Sequence, residues 1–205
     1  MDLLSQTALA LGLAWASGFR LYAAVFIAGG LQRLGAVTLP SHLTLLSQDW
    51  VLIASFVMFV CEFVADKIPA FDTVWDALHT FIRIPAGTLL AWGAFGDQTP
   101  AAQIIVGLAG GALVTGTHLT KAASRALINH SPEPFSNWLA SFMEDGAVLF
   151  GLWLLYAHPL VFLFLLGLFV LLMIWLLPKL WHGLRWVFQK LFPEPELVPK
   201  LQGLE

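Results

Sequence analysis

The chain has 205 residues, 59% of them hydrophobic and only 11% charged, and a surface that apolar cannot be hidden inside one water-soluble globule of this size. Lipid has to cover part of it. The net charge of −3, with Lys and Arg scattered in ones and twos, argues against a nucleic-acid partner, and the single cysteine, Cys61, excludes an internal disulfide and reads as a small packing residue.

An α-helix rises ~1.5 Å per residue, so crossing a ~30 Å hydrocarbon layer takes about 20 mostly apolar residues. The opening MDLLSQTALALGLAWASGF carries an acid where a secretory signal has Lys or Arg, and its apolar run passes any cleavage point. It is read as a retained first membrane segment. Residues 4–31 are long enough to cross with tilt, interrupted by Ser17-Gly18 and Arg20, and residues 50–65 make a second span. Residues 84–95, with Pro85 and Gly87 at their start, make about half a span unless the amphipathic residues 71–82 lead into them as one bent helix. Residues 101–121 form a fourth, whose Gly107, Gly110, Gly111 and Gly116 allow close contact between helices. Residues 147–156 are again short, and residues 159–177 are free of charge.

These segments predict an all-α polytopic membrane protein with about six membrane segments, some short, bent or re-entrant, and two amphipathic interfacial segments. Residues 1–192 are read as a single transmembrane helical domain and residues 193–205 as a proline-rich mobile tail. Lys179, Arg185, Lys190 and Lys200 follow the last span, which predicts a cytoplasmic C-terminus. Counting spans backwards puts the Asp97 and His158 turns outside and the N-terminus inside, with Arg33 as the dissenter. Residues 68–81 and 132–142 share a proline, a Trp and a closing Phe, which makes them a candidate internal repeat of parallel type.

Asp72, Asp76, His79 and Arg83 recur at helical intervals opposite Val74, Leu78, Phe81 and Ile82. The stripe reads as an amphipathic helix at the interface, or as a site that binds a cation or relays protons. Arg20, Glu62 and His118 lie inside the spans, where an unpaired charge costs at least ~2.5 kcal/mol. Counted from the outer face, Arg20 and Glu62 sit at matching depth, so they are predicted to form an ion pair or share a polar cavity. Glu62 and Asp66 make an acidic stripe on the second span, and His118, Lys121 and Arg125 a basic one on the fourth. Together they are predicted to line a polar vestibule, with the Gly18 break pointing a half-helix N-terminus into it.

Three blocks carry a resemblance: GFRLYAAVFIAGG, FVADKIPAFDTVWDALHTFIRIPAG, and KAASRALINHSPEPFSNW followed by MEDG. They resemble the bacterial integral membrane family filed as domain of unknown function 4126. The resemblance implies a small multi-pass protein of the cytoplasmic (inner) membrane and brings no activity with it. Its charged blocks match this chain at Arg20, Glu62, Asp66, Lys67, Asp76, His79, Arg83, Lys121, Arg125, Glu144 and Asp145.

The sequence has no GxSxG, HExxH or CxxC motif and no phosphate loop, so no enzyme activity and no cofactor are expected. Three readings stand. In the first, a permease moves a small ion or solute, with a proton as candidate coupling ion, along Arg20, Glu62, Asp66 and His118. In the second, Lys67, Arg83, Lys121 and Arg125 hold a phospholipid or polyprenyl phosphate headgroup at the cytoplasmic interface. In the third, the chain is a membrane scaffold, a homo-oligomer through its glycine-rich fourth span. Besides the lipid bilayer, the partner is thus a small ion, a solute or a lipid headgroup. Whether a metal ion takes part is left open.

Overall fold

The computed structural model describes residues 1–68, 71–129 and 135–191. Among them are six α-helices, α1 (Leu3–Arg33), α2 (Asp49–Ala65), α3 (Phe71–Ala94), α4 (Pro100–Ile128), α5 (Phe135–Ala157) and α6 (Pro159–Leu191), with a 3-10 helix over Ser41–Ser47 and no strand. By length and composition α1, α4, α5 and α6 can each cross a membrane, and a fifth span arises if the 3-10 helix and α2, bent by 68°, count as one. The tail 193–205 lies outside the described residues, as do Pro69, Ala70 and Pro132 of the candidate repeat. The described parts of that repeat begin α3 and α5.

Two segments expected to be short are continuous with the charged stretches before them. The amphipathic residues 71–82 run through Pro85 into residues 84–94 as α3, and residues 147–156 are the second half of α5. The polar stripe of α3 does not lie on an interface either. Asp72, Asp76, His79 and Arg83 are buried, while Val74, Leu78, Phe81 and Ile82 are exposed. The helix is inside out, as expected where the surroundings are lipid and the charges find partners in the bundle interior.

The largest departure concerns α1. Arg20 has φ −144° and ψ 75°, outside helical space, and the helix folds back there. α5 serves as the ruler. Gly12 lies against Leu155, Trp15 against Gly151, and Arg20 bonds Ser141 and Asp145. Beyond the break, Ala23 sits with Val148 and Leu149, and Ile27 and Leu31 sit with Leu152, Trp153 and Tyr156. Limbs 3–19 and 21–33 therefore run along the same helix in opposite senses. Both ends of α1 reach one end of the bundle, the upper end, where Gln98 Nε2 donates to Gln6 Oε1 at 2.6 Å and Arg33 pairs with Asp49 at 2.7 Å.

From α2 to α6 the helices alternate between this upper end and a lower end that holds Asp66, Phe71 and Asn129. α6 starts beside Gly12 and brings Gly183 against Leu127 at the lower end. The sequence reading put both termini on one side; Leu3 and Leu191 lie instead at opposite ends, because α1 returns rather than crosses.

α1 occupies the centre, packed on α2, α3, α4 and α5, and α3 and α4 form the tightest pair. The glycines of α4 serve this packing: Gly110 faces Ala91 Cβ, Gly111 faces Thr88 and Gly116 faces Met173. The upper half of the interior is apolar, with Leu9, Leu13, Leu39, Leu43, Leu90 and Phe95 buried.

Candidate functional site

The lower half of the interior is a network of charge. Arg20, Arg83, Lys121 and Arg125 have side chains at most 1% exposed, and so have Glu62, Asp66 and Asp76; Asp72 is equally buried. Glu144 and Asp145, at 13% and 14%, complete it. Six carboxylates thus accompany four cations; five of the six are in ion pairs, and Asp72 is bonded instead to Asn129 and Thr73.

The break in α1 supplies two of its features. It turns the Arg20 side chain into the bundle, and it frees the carbonyl of Phe19, which accepts from Lys121 Nζ at 3.2 Å. The half-helix end aimed into the site is thus the carbonyl end of limb 3–19, not the expected N-terminus, and a cation caps it. Close approach of α4 is what lets Lys121 reach: Thr117 Cβ lies 2.5 Å from where a Cβ on Gly18 would stand, so only glycine fits there.

Arg20 pairs with Asp66 and, through Nε at 2.6 Å, with Asp145, and it donates to Ser141 Oγ at 3.0 Å. Lys121 lies 2.8 Å from Asp66 and 3.4 Å from Asp76. Arg125 grips Glu144 with Nε and Nη2 at 3.1 and 2.9 Å, and donates to the Asn137 carbonyl at 2.8 Å. Arg83 bridges Glu62 and Asp76, the latter at 2.9 Å, and its Nη1 is 3.3 Å from His118 Nδ1. Thr80 Oγ1 lies 2.7 Å from the other nitrogen of that ring. At the lower rim Asn129 Nδ2 donates to Asp72 Oδ1 at 2.7 Å, and Trp75 stacks on His79.

Of the thirteen residues singled out from the sequence, ten are joined by ion pairs and hydrogen bonds, Lys67 is tied to them through Ser141 Oγ, which accepts from Lys67 Nζ at 3.3 Å and from Arg20, and Asp72 and His79 stand outside. The pairing differs from that expected: Arg20 and Glu62 do share a depth and a polar interior, but their direct partners are Asp66 with Asp145, and Arg83. The vestibule is closed, since the acidic and basic stripes meet. A cavity of about 20 Å³ beside Arg20, Asp145 and Phe59 is large enough for one water. No group of three metal-ligating side chains occurs among the described residues. His79 stands aside from the ion pairs, stacked on Trp75 and edge-on to Tyr22.

Lys67 joins the network without an ion pair, donating to Ser141 Oγ at 3.3 Å and to the Phe63 carbonyl at 3.2 Å. Among the described residues no carboxylate lies within 4.0 Å of its Nζ, which sits 3.0 Å from the centre of the Phe63 ring and 4.6 Å from that of Phe142. Partial burial pushes its pKa below the usual lysine value. Its carbonyl accepts from Trp138 Nε1 at 3.0 Å, so it bridges the lower ends of α2 and α5. Cys61 is exposed on α2 and does not pack the interior. Sequence reasoning missed Asn137 and Ser141. Their spacing with Asp145 at intervals of four on α5 is the signal that points to them.

The chain matches the family model described as Domain of unknown function (DUF4126) over residues 7–179. It belongs to this family. The matched region takes in α1 from Thr7 onward, including the break at Arg20, and every charged residue of the network. No curated protein and no solved structure matches the chain.

Proposed function

We propose that this DUF4126 protein is a secondary permease, not an enzyme, that moves a small ion or solute through the polar site at the break of α1, with a proton as its coupling ion. The observation that carries the reading is the buried network of four cations and the six carboxylates that accompany them, behind an apolar upper half. Such a network is costly to place in a membrane for stability alone, because well-packed apolar residues do as well or better. The carboxylates in excess supply groups that can take up protons. Glu144 and Asp145 are the least buried members, at 13% and 14%, and support access to the site along α5.

In this reading α2 to α6 cross the membrane and α1 is a re-entrant helical hairpin. Lys67, Lys121, Arg125, Lys179 and Arg185 lie toward the lower end and Arg33 at the upper, which makes the lower end cytoplasmic. The membrane is the inner membrane of a bacterium, and the N-terminus faces outward. The test is flux into liposomes under an imposed ion or proton gradient. The purified chain should carry flux and Glu62→Gln should abolish it while leaving the protein folded, since Gln keeps the shape but holds neither charge nor an exchangeable carboxyl proton. Absence of flux under every gradient tested overturns the reading.

One observation favours a second reading, in which the protein handles an anionic lipid. Among the described residues Lys67 has no ion-pair partner, and its Nζ lies over Phe63 and Phe142 at the seam between α2 and α5. Redistribution of a labelled phospholipid in the same liposomes, lost when Lys121 and Arg125 become Ala, supports that reading.

A further inference from the structure

Two carboxylate oxygens in the network, Glu144 Oε2 and Asp66 Oδ2, each lie within 4.0 Å of the same three cations. The close contact of Glu144 Oε2 is with Arg125 at 2.9 Å, while Arg20 and Lys121 are at 3.7 and 3.8 Å; Asp66 Oδ2 sits closer to those two. Asp66 Oδ2 is paired with Arg20 Nη1, with Lys121 Nζ at 2.8 Å and with Arg125 Nη2 at 3.6 Å. The second oxygen, Oδ1, is buried without a hydrogen-bond partner. A planar carboxylate therefore meets a three-sided nest of donors with a single atom.

Each cation is also anchored without Asp66. Arg20 is held by Asp145 and Ser141, Lys121 by the Phe19 carbonyl, and Arg125 by Glu144 and Asn137. The nest is thus preorganised by α1, α4 and α5, and it does not depend on its occupant for its shape. A tetrahedral oxyanion offers separate oxygens to three converging donors, which is the match that guanidinium and ammonium groups make with phosphate.

We propose that Arg20, Lys121 and Arg125 form a binding site for a tetrahedral oxyanion, a free phosphate-like ion or a lipid phosphate, and that Asp66 occupies it as a built-in stand-in. The proposal rests on the permease reading and names the substrate class of that site. Asp66 lies one residue beyond α2, a helix with only Ser55, Glu62 and Ala65 buried and with its main packing on α1. Outward movement of α2 withdraws Asp66 and Glu62 together. Four cations then remain with four carboxylates, Asp72, Asp76, Glu144 and Asp145, and the nest opens toward the seam where Lys67 stands. Inside the nest three cations favour the ionised form of Asp66, so its withdrawal, rather than its protonation in place, admits the ligand.

Binding to the purified full chain tests this, with sulfate as a free oxyanion and phosphatidylglycerol vesicles as the lipid source. Asp66→Asn removes the competing charge and keeps the shape, so affinity for one of the two probes should tighten by about tenfold or more. Adding Lys121→Gln should reverse the gain. Tighter sulfate binding identifies a free ion; tighter retention of phosphatidylglycerol alone identifies a lipid headgroup. A folded Asp66→Asn chain that binds neither probe more tightly overturns the proposal. Should that variant not fold, sulfate in the purification should recover folded Asp66→Asn or Asp66→Ser, and failure to recover either also overturns it. Flux by the unaltered chain with no oxyanion binding by the variants leaves the permease standing without this site. Binding without flux does the reverse.

Discussion

Glu62 on α2 and Arg83 on α3 are paired at side chains with no solvent exposure, and the same guanidinium holds Asp76 with its other terminal nitrogen. Removing either member of such a buried pair leaves a charge without a partner, so Glu62→Ala and Arg83→Ala should each destabilise the protein by about 3–5 kcal/mol. The double variant should recover about 1–3 kcal/mol of the summed loss. Arg20 and Glu62 share a depth but no contact, and their losses should be closer to additive. Unfolding in detergent measures both cycles, and a larger coupling for Arg20 with Glu62 contradicts the pairing.

Labelling with a membrane-impermeant thiol reagent checks the fold of α1. In a Cys61→Ala background, cysteines at Ser5 and Asp97 should label from one face of the membrane and a cysteine at Arg185 from the other. A straight first span puts Ser5 with Arg185 instead.

Helical rise alone located much of this site. Counting residues from the outer ends of two segments gave Arg20 and Glu62 their common depth, and α-periodicity gathered Asp72, Asp76 and Arg83 on the face that proves to be internal. What periodicity does not carry is the lateral order of helices, so depth was known and partners were not. The return of α1 was equally hidden, because a folded and a straight helix over residues 4–31 have the same hydropathy. The decision at Arg20 depends on distant residues: Lys121 accommodates the freed Phe19 carbonyl, and Asp66 and Asp145 hold the buried guanidinium. The bent helix offered for residues 71–95 is what α3 forms, but its stripe, like the charged start of α5, reads as a surface segment until the charges are seen to face one another.

Glycine at the α3–α4 contact leads to a third expectation. A Cβ on Gly110 would collide with Ala91 Cβ, an atom that no side-chain rotation can move aside, so Gly110→Ala should cost about 1–3 kcal/mol despite the better helix propensity of alanine. Gly146→Ala on α5 meets nothing within 4 Å and should be neutral or slightly stabilising. Thermal unfolding of the two variants side by side gives the comparison, and equal midpoints contradict the packing.

Arg83 should not tolerate lysine, although the charge is kept. Its two terminal nitrogens reach separate carboxylates, Asp76 at 2.9 Å and Glu62, a division that a planar fork provides and a single ammonium does not. Arg83→Lys therefore leaves one carboxylate underpaired in a buried site and should lower stability by about 1–3 kcal/mol. The consequence is a change of sign at position 62. In the unaltered chain Glu62→Gln breaks a satisfied ion pair and should be destabilising. In the Arg83→Lys background the same substitution removes a charge that lacks a full partner, so it should restore part of the lost stability. Midpoints of denaturant unfolding for the four proteins of this cycle decide the matter, and an equal cost of Glu62→Gln in both backgrounds means that Arg83 does not act as the fork between α2 and α3.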